Sequence, residues 1–269
     1  RDVGVAHTAG RTRPSRLVIN RFKKRTQRIQ RIKQIAKINR RARKLFTGSA
    51  FSASTWGHQA CSLSDSALLQ LERDAIACSG ITPAGRCRTV GLMVTYGKLG
   101  TPKARIIREA ITAWFHILKA SNAQQIGELK EAWDIASKLL QKHTSHRNIY
   151  GFMINIISIL IKAGWSPINI FKWKDPRGTF WTMSGIKASP NIIAAAIIED
   201  MQDKDMKVAA QHYNGKGLAS GLHCNASLQL TRKCKKEHYK RLCLIEAILA
   251  GTTWPNERIN RCYPEVPAS

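Results

Sequence analysis

Apolar residues recur at helical spacing along most of the chain. Ile106, Ile107, Ala110, Trp114 and Ile117 predict a helix over about 102–120, and Leu129, Ala132, Trp133, Ala136 and Leu140 predict another over about 123–142. A third is expected over about 147–164. Its most apolar run, Ile149 to Ala163, contains Asn155 and Ser158 and falls short of the roughly 20 residues that a membrane span needs, so it reads as a buried helix. Ser64-Asp65-Ser66 caps a further helix whose inward positions are Ala67, Leu68, Leu71, Ala75 and Cys78, ended by Gly80 and Pro83. Residues 81–101 are rich in glycine and read as loop. After the break at Gly164-Trp165-Ser166-Pro167, the aromatics Trp165, Phe171, Trp173, Phe180 and Trp181 surround Asp175-Pro176-Arg177-Gly178. That is the pattern of a turn between two short extended pieces. Ser189-Pro190 opens a helix to about Asp203, Gly215 to Gly221 form a loop, and a last helix is expected over about 226–250. The expected fold class is therefore mainly α, with a small aromatic-rich extended piece near 165–187.

The first quarter of the chain is different. From Pro14 to Phe46 the pattern is helical, with Gly48 just beyond its end. Phe22, Ile29, Ile32 and Ala36 form one apolar stripe, and Ile35, Ile38, Ala42 and Leu45 continue on a drifted one, which suggests a bend near Ile35. On the other side Lys23, Thr26, Gln30, Lys33, Lys37, Arg40 and Lys44 follow a 3-4-3-4-3-4 spacing with Arg41 beside them. About 32 residues at ~1.5 Å each predict a basic rod of nearly 50 Å, followed by a linker over Ser49 to Ser62 and then a helical bundle.

Charge sharpens this picture. Lys plus Arg number 44 and Asp plus Glu 17, a net charge of +27 over 269 residues. Residues 1–60 hold 16 of the cations and one acid, Asp2, and no carboxylate follows until Asp65. A solvated helix face ordinarily mixes signs, because Glu–Lys pairs support it. An acid-free face repels itself unless a polyanion is near, so nucleic acid is the leading partner and an anionic membrane surface the weaker one. The phosphate-contacting residues expected are Lys23, Arg25, Arg28, Lys33, Lys37, Arg40, Arg41 and Lys44. Trp173, between Lys172 and Lys174, and Trp181, after Phe180, are candidate base-stacking residues, although tryptophans of this kind more often fill a small core. A membrane partner is not expected, since the apolar side of the rod is mostly Ile with few aromatic anchors.

Catalytic signatures are missing. Gly215-Lys216-Gly217-Leu218-Ala219-Ser220-Gly221 lacks the spacing of a phosphate-binding loop and reads as a flexible turn. No Asp-Asp pair follows an aromatic residue, and Asp203-Lys204-Asp205 lies in a polar run. A nuclease would need acids such as Asp175, Glu199 or Asp203 to converge on Mg²⁺. Cys224, Cys234, His238 and Cys243 have poor spacing for structural zinc, as do His143 and His146, so no metal site is assigned. Seven cysteines without a CxxC fit reduced thiols in the nucleus or cytoplasm rather than a secreted disulfide framework. The start at Arg1 and the end at Ser269 suggest a segment of a longer polypeptide.

Several short motifs resemble those of non-LTR (LINE-type) retroelement reverse transcriptases. Asp2-Val3-Gly4-Val5 resembles the strand that closes the palm before a helical thumb. Thr55-Trp56-Gly57-His58 with Leu68, Leu71 and Arg73 resembles that family's YG dipeptide and the helix after it. Gly164-Trp165, Gly215-Lys216-Gly217-Leu218 and Gly251-Thr252-Thr253-Trp254-Pro255-Asn256-Glu257-Arg258 resemble the C-terminal part of some protist retroelement proteins, where a CxxC…H…C knuckle follows, here beyond Cys262. Val3 replaces the usual Leu and Trp56 the usual Tyr. The resemblance implies a palm-exit strand and basic thumb-like helix over 1–62, a helical thumb or connection region over 63–164, and a C-terminal helical region over 165–269. It implies RNA or DNA held through phosphates, with the rest of the parent polypeptide as a partner. It also implies that the catalytic aspartates and their Mg²⁺ belong to a palm upstream, so this segment holds no cofactor of its own and is inactive alone. The alternative is a free-standing basic RNA- or DNA-binding protein.

Overall fold

The computed structural model describes residues 16–60, 62–142, 151–185, 189–223 and 236–252, with isolated positions at 226, 228–229, 231, 259–260, 263–265 and 267. The protein is mainly α-helical. Its main elements are α1 (Arg16–Ile38), α2 (Asp65–Ala77), α3 (Arg88–Tyr96), α4 (Pro102–Ala120), α5 (Ala123–Lys142), α6 (Phe152–Ala163), β1 (Ser166–Pro167), β2 (Lys172–Lys174), β3 (Phe180–Thr182), α7 (Pro190–Ala210) and α8 (Tyr239–Leu249). These form two compact units that are not consecutive in sequence: Arg1–Arg28 with Gly48–Leu71 and Pro102–Lys204, and Ile29–Thr47 with Glu72–Thr101 and Asp205–Ser269.

In the first unit, α4, α5, α6 and the first part of α7 enclose a core centred on Trp114, Trp133, Ile156, Ile157, Leu160, Trp173 and Ile197. Local chemistry sets the helix ends. Asn122 and Gln125 cap α5 reciprocally, each side-chain oxygen accepting the other residue's backbone N–H at 2.9 Å. Gly164, at φ 87°, closes α6 in the left-handed conformation, and the N–H of Trp165 reaches back to the carbonyl of Leu160 at 2.8 Å. The extended piece is a three-stranded antiparallel sheet of order β1-β2-β3, with Trp173 opposite Trp181 and Lys174 opposite Phe180. Asp175 organises its turn by accepting the backbone N–H groups of Arg177 and Thr179 at 2.9 and 2.8 Å. Burial alone would raise the Asp175 pKa, but hydrogen bonds from Trp181, Thr179 and Arg177, with the Arg177 charge, hold it below the ordinary carboxylate value.

The segment expected to be a linker, Ser49 to Ser62, is helical as far as Thr55. A π-helical stretch, Phe46–Phe51, passes into an α-helical turn, Ser52–Thr55. Its small polar residues sit inside because the helix itself satisfies them: Ser54 Oγ donates to the carbonyl of Ala50 and Thr55 Oγ1 to that of Phe51. Phe51 is buried beneath the Arg105 guanidinium, 4.5 Å from the ring centroid. His58 is buried too, with Nδ1 2.8 Å from the Thr55 carbonyl and Nε2 3.7 Å from Glu109 Oε2. Burial lowers its pKa, and Glu109 only partly offsets this.

In the second unit, Ile29, Ile32 and Ala36 are buried, and Gly80, at φ 75°, lies against this helix face. A Cβ on Gly80 would come within 2.4 Å of the Ala36 carbonyl oxygen, so only glycine fits. The stretch 81–101, expected to be loop, contains α3. Val90 to Thr95 are all buried, and Val90, Met93 and Val94 pack with Cys87, Met206 and Leu218. The Tyr96 hydroxyl donates to the carbonyl of Ala75 at 2.7 Å. Helix α7 runs on past Asp203 to Ala210, because apolar contact resumes at Met206.

Candidate nucleic-acid interface

Helix α1 carries Arg16, Arg21, Lys23, Lys24, Arg25, Arg28, Arg31, Lys33 and Lys37, and no acid. Its buried positions among the described side chains are Arg25, Ile29, Ile32 and Ala36, a 4-3-4 spacing that makes one continuous inward stripe. Opposite that stripe lie Lys23, Gln27, Gln30, Arg31 and Gln34, flanked by Lys24, Arg28 and Lys37, all exposed. Glutamines lie between the cations, Ile35 and Ile38 are exposed on the same side, and no acid of the helix supplies a counter-charge.

The expected phosphate-contacting residues divide accordingly. Lys23, Arg28, Lys37, Arg41 and Lys44 are exposed, and Lys33 is half-buried. Arg25 is a correction: it is 5% exposed and its guanidinium lies 3.8 Å from the centroid of the Phe22 ring, so it belongs to the inward stripe. Arg40 is a second correction. It donates to the Cys243 carbonyl at 2.6 Å and to Glu246 Oε2 at 3.3 Å, and Tyr239 Oη accepts its backbone N–H. Arg43 pairs with the other Glu246 oxygen at 2.6 Å. Glu246 is fully buried, so these two cations share one internal counter-charge within the second unit. Arg41 stays exposed, 5.8 Å over the Tyr239 ring.

The expected rod is also shorter. Asn39 is extended, at φ −137° and ψ 106°, and its side chain accepts the Arg41 N–H at 3.0 Å. This cap stops α1 at Ile38, and 23 residues at ~1.5 Å give about 35 Å. Ile35 lies off the inward stripe of Arg25, Ile29, Ile32 and Ala36, and Ile38 and Leu45 lie on either side of the reset; expected on an apolar stripe, the three are 48%, 86% and 49% exposed. Lys24 and Arg31 were not among the expected contacts. The signal that finds them is Arg25: once it is placed in the inward stripe, the outward face rotates onto Lys24, Gln27 and Arg31.

Of the two tryptophans expected to stack, Trp173 lies inside and Trp181 is half-buried against the core. Trp173 is wholly buried and donates to the Asn169 carbonyl at 3.1 Å. Trp181 donates to Asp175 Oδ2 at 3.1 Å and packs 5.6 Å from Trp165. The Trp173 ring is part of the core and presents no face to a base, while Trp181 packs against that core half-buried. The large exposed aromatics include Trp56, at 60%, and Phe180, at 54%. The Trp56 carbonyl accepts a hydrogen bond from Arg21 at 2.6 Å.

The acids that a nuclease would need do not converge. The Asp175 oxygens are bonded within its turn and Arg177 bridges it to Asp200, at 3.8 and 3.4 Å, while Glu199 and Asp203 are exposed. Among the described residues no group of three His, Cys, Asp or Glu is placed to hold a metal ion. Cys61, Cys224, Cys234, Cys262, His143, His146 and the Asp2–Val5 motif lie outside the described residues. The Cys78 thiol is buried and its pKa is pushed up to about 12 by that burial, which makes it a poor nucleophile. No helix among the described residues is long and apolar enough to cross a membrane. No family model matches the chain, and no curated protein or solved structure matches it.

Proposed function

We propose that this chain is a nucleic-acid-binding segment that holds a duplex by its phosphates along α1, and that it forms the part of a retroelement reverse transcriptase that follows the palm. The observation that carries the binding reading is the exposed face of α1, where Lys23, Lys24, Arg28, Arg31 and Lys37 lie on a helix without a single acid. Fixed cations on a rigid helix suit a regular phosphate array, and they read no base, so binding is sequence-neutral. The polymerase reading rests on the resemblance of Trp56-Gly57, Leu68, Leu71, Arg73 and Gly164-Trp165 to their family counterparts. In that role the segment grips template–primer, and the chemistry belongs to the palm.

The test is the salt dependence of duplex binding. With five to six phosphates neutralised, log K falls against log salt with a slope of about −5. Replacing Lys23, Lys24, Arg28 and Arg31 by Gln removes roughly 3.6 of that slope. A wild-type slope near zero, or a slope unchanged in the fourfold variant, would defeat the binding reading. The polymerase reading is tested separately by the parent transcript: an aromatic-x-Asp-Asp motif encoded upstream of Arg1 is expected.

A further inference from the structure

The outer face of the β1-β2-β3 sheet presents a second surface with the chemistry of nucleic-acid recognition. Alternation along the strands sends Trp173 inward and leaves Lys172, Lys174, Phe180, Thr182 and Ser166 exposed. The register sets Lys174 between Ser166 and Phe180, and Lys172 beside Thr182. The two lysines follow each other on one face about 7 Å apart. Their ammonium groups lie 4.3 Å (Lys172) and 5.7 Å (Lys174) from the centroid of the Phe180 ring. Phe180 nevertheless remains 54% exposed. Among the described residues no acid stands on this face: the nearby Asp175 is 5% exposed, with its carboxylate turned to its own turn, Trp181 and Arg177.

We infer that Phe180, with Lys172 and Lys174, is a stacking platform for an unpaired base of a single-stranded nucleic acid, the lysines taking the phosphates on either side. An aromatic on a solvent-facing strand position costs exposure of apolar area, and a base is the ligand that covers a flat ring while bringing the anions two lysines require. The platform is also pre-shaped. The Asp175 turn fixes the hairpin, and Trp173 anchors its other face in the core, so little ordering is needed on binding. Lys172 and Lys174 reach over the ring in the free protein and swing onto phosphate when a base arrives.

This inference rests on the proposed function only in taking nucleic acid as the ligand; its surface and its readout are separate from α1. The test compares a single-stranded 12-mer of deoxyadenylate with the same strand made abasic, binding to the full chain at fixed salt. The base-bearing strand is expected to bind about tenfold more tightly. Phe180→Leu abolishes that preference, Phe180→Tyr keeps it, and neither changes the salt slope. Lys172→Gln with Lys174→Gln lowers the slope by about 1.4 and keeps part of the preference. An unchanged preference in Phe180→Leu overturns the inference, as does equal binding of the two strands by the wild type. Competition by poly-glutamate as strong as by the base-bearing strand overturns it too. Duplex binding that depends on α1 alongside a failed base preference leaves the proposed function standing, and the converse result leaves the platform standing.

Discussion

Two neighbouring stretches of the chain carry the same kind of residue and use it in opposite ways. On α1, Lys23, Lys24, Arg28 and Arg31 face water without an acid on their helix. In the turns just after it, Arg40 and Arg43 converge on the buried carboxylate of Glu246. The first set is a surface charge whose energy depends on what approaches it. The second is an internal ion pair whose cations are already satisfied. Density of Lys and Arg along the sequence does not separate the two. What does is the position of the compensating acid, which for Arg40 lies 206 residues away.

The comparison can be broken most forcefully at Glu246. Glu246→Ala leaves two partly buried guanidiniums uncompensated, and a loss of about 3 kcal/mol is expected in denaturant unfolding of the full chain. The same variant should leave the salt slope of duplex binding unchanged. Full stability with a steeper slope would mean that Arg40 and Arg43 are free to act with the surface set. The converse change sharpens the contrast. Lys24→Gln with Arg31→Gln should alter stability by no more than about 0.5 kcal/mol while removing roughly 1.8 from the salt slope. Asn39→Ala probes the boundary between the two stretches. Loss of the cap should cost about 1 kcal/mol, measured by thermal unfolding.

Smaller effects come from protons. His58 is buried with a lowered pKa, so the unfolded chain takes up its proton first. Its contribution is complete above about pH 6.5 and is lost as pH falls below that value toward the lowered native one. Asp175 acts in the same direction further down. Its stabilisation is full above the ordinary carboxylate pKa and declines as pH drops through its depressed native value. Urea midpoints measured from pH 8 to 3 should therefore fall in two stages, and His58→Gln should remove the first. Both stages belong to the first unit, so a variant at Glu246 should shift the curve without reshaping either.

Much of the helical fold was legible because burial on one face writes a helical period. The expected bounds of α4 and α5 coincide with the observed ones, and Ser64 Oγ accepts the Ala67 N–H at the expected start of α2. Even there Ala132, expected inward, faces solvent. Helix α3 was illegible for a physical reason. Residues from Val90 to Thr95 are buried all round, so no period survives, and glycines at 85, 91, 97 and 100 imitate a loop. The candidate interface was half legible. Cations at helical spacing announce a face, but Arg25 lies inward over Phe22 and Arg40 is claimed by a residue that no local pattern connects to it. Tryptophan beside lysine was equally ambiguous. Strand alternation decides it, and it buries Trp173 while exposing Phe180.

The distance between Arg40 and Glu246 also has a meaning in time. A ribosome adding ~5–20 residues per second needs roughly 10–40 s to make the chain between them. Throughout that interval the nascent protein displays its most basic segment with the internal acid still unwritten. Arg40 and Arg43 then behave as part of the surface set, and any polyanion near the emerging chain meets a longer cationic stretch than the finished protein offers. The closing of Glu246 onto that pair gives the two guanidiniums one shared internal counter-charge.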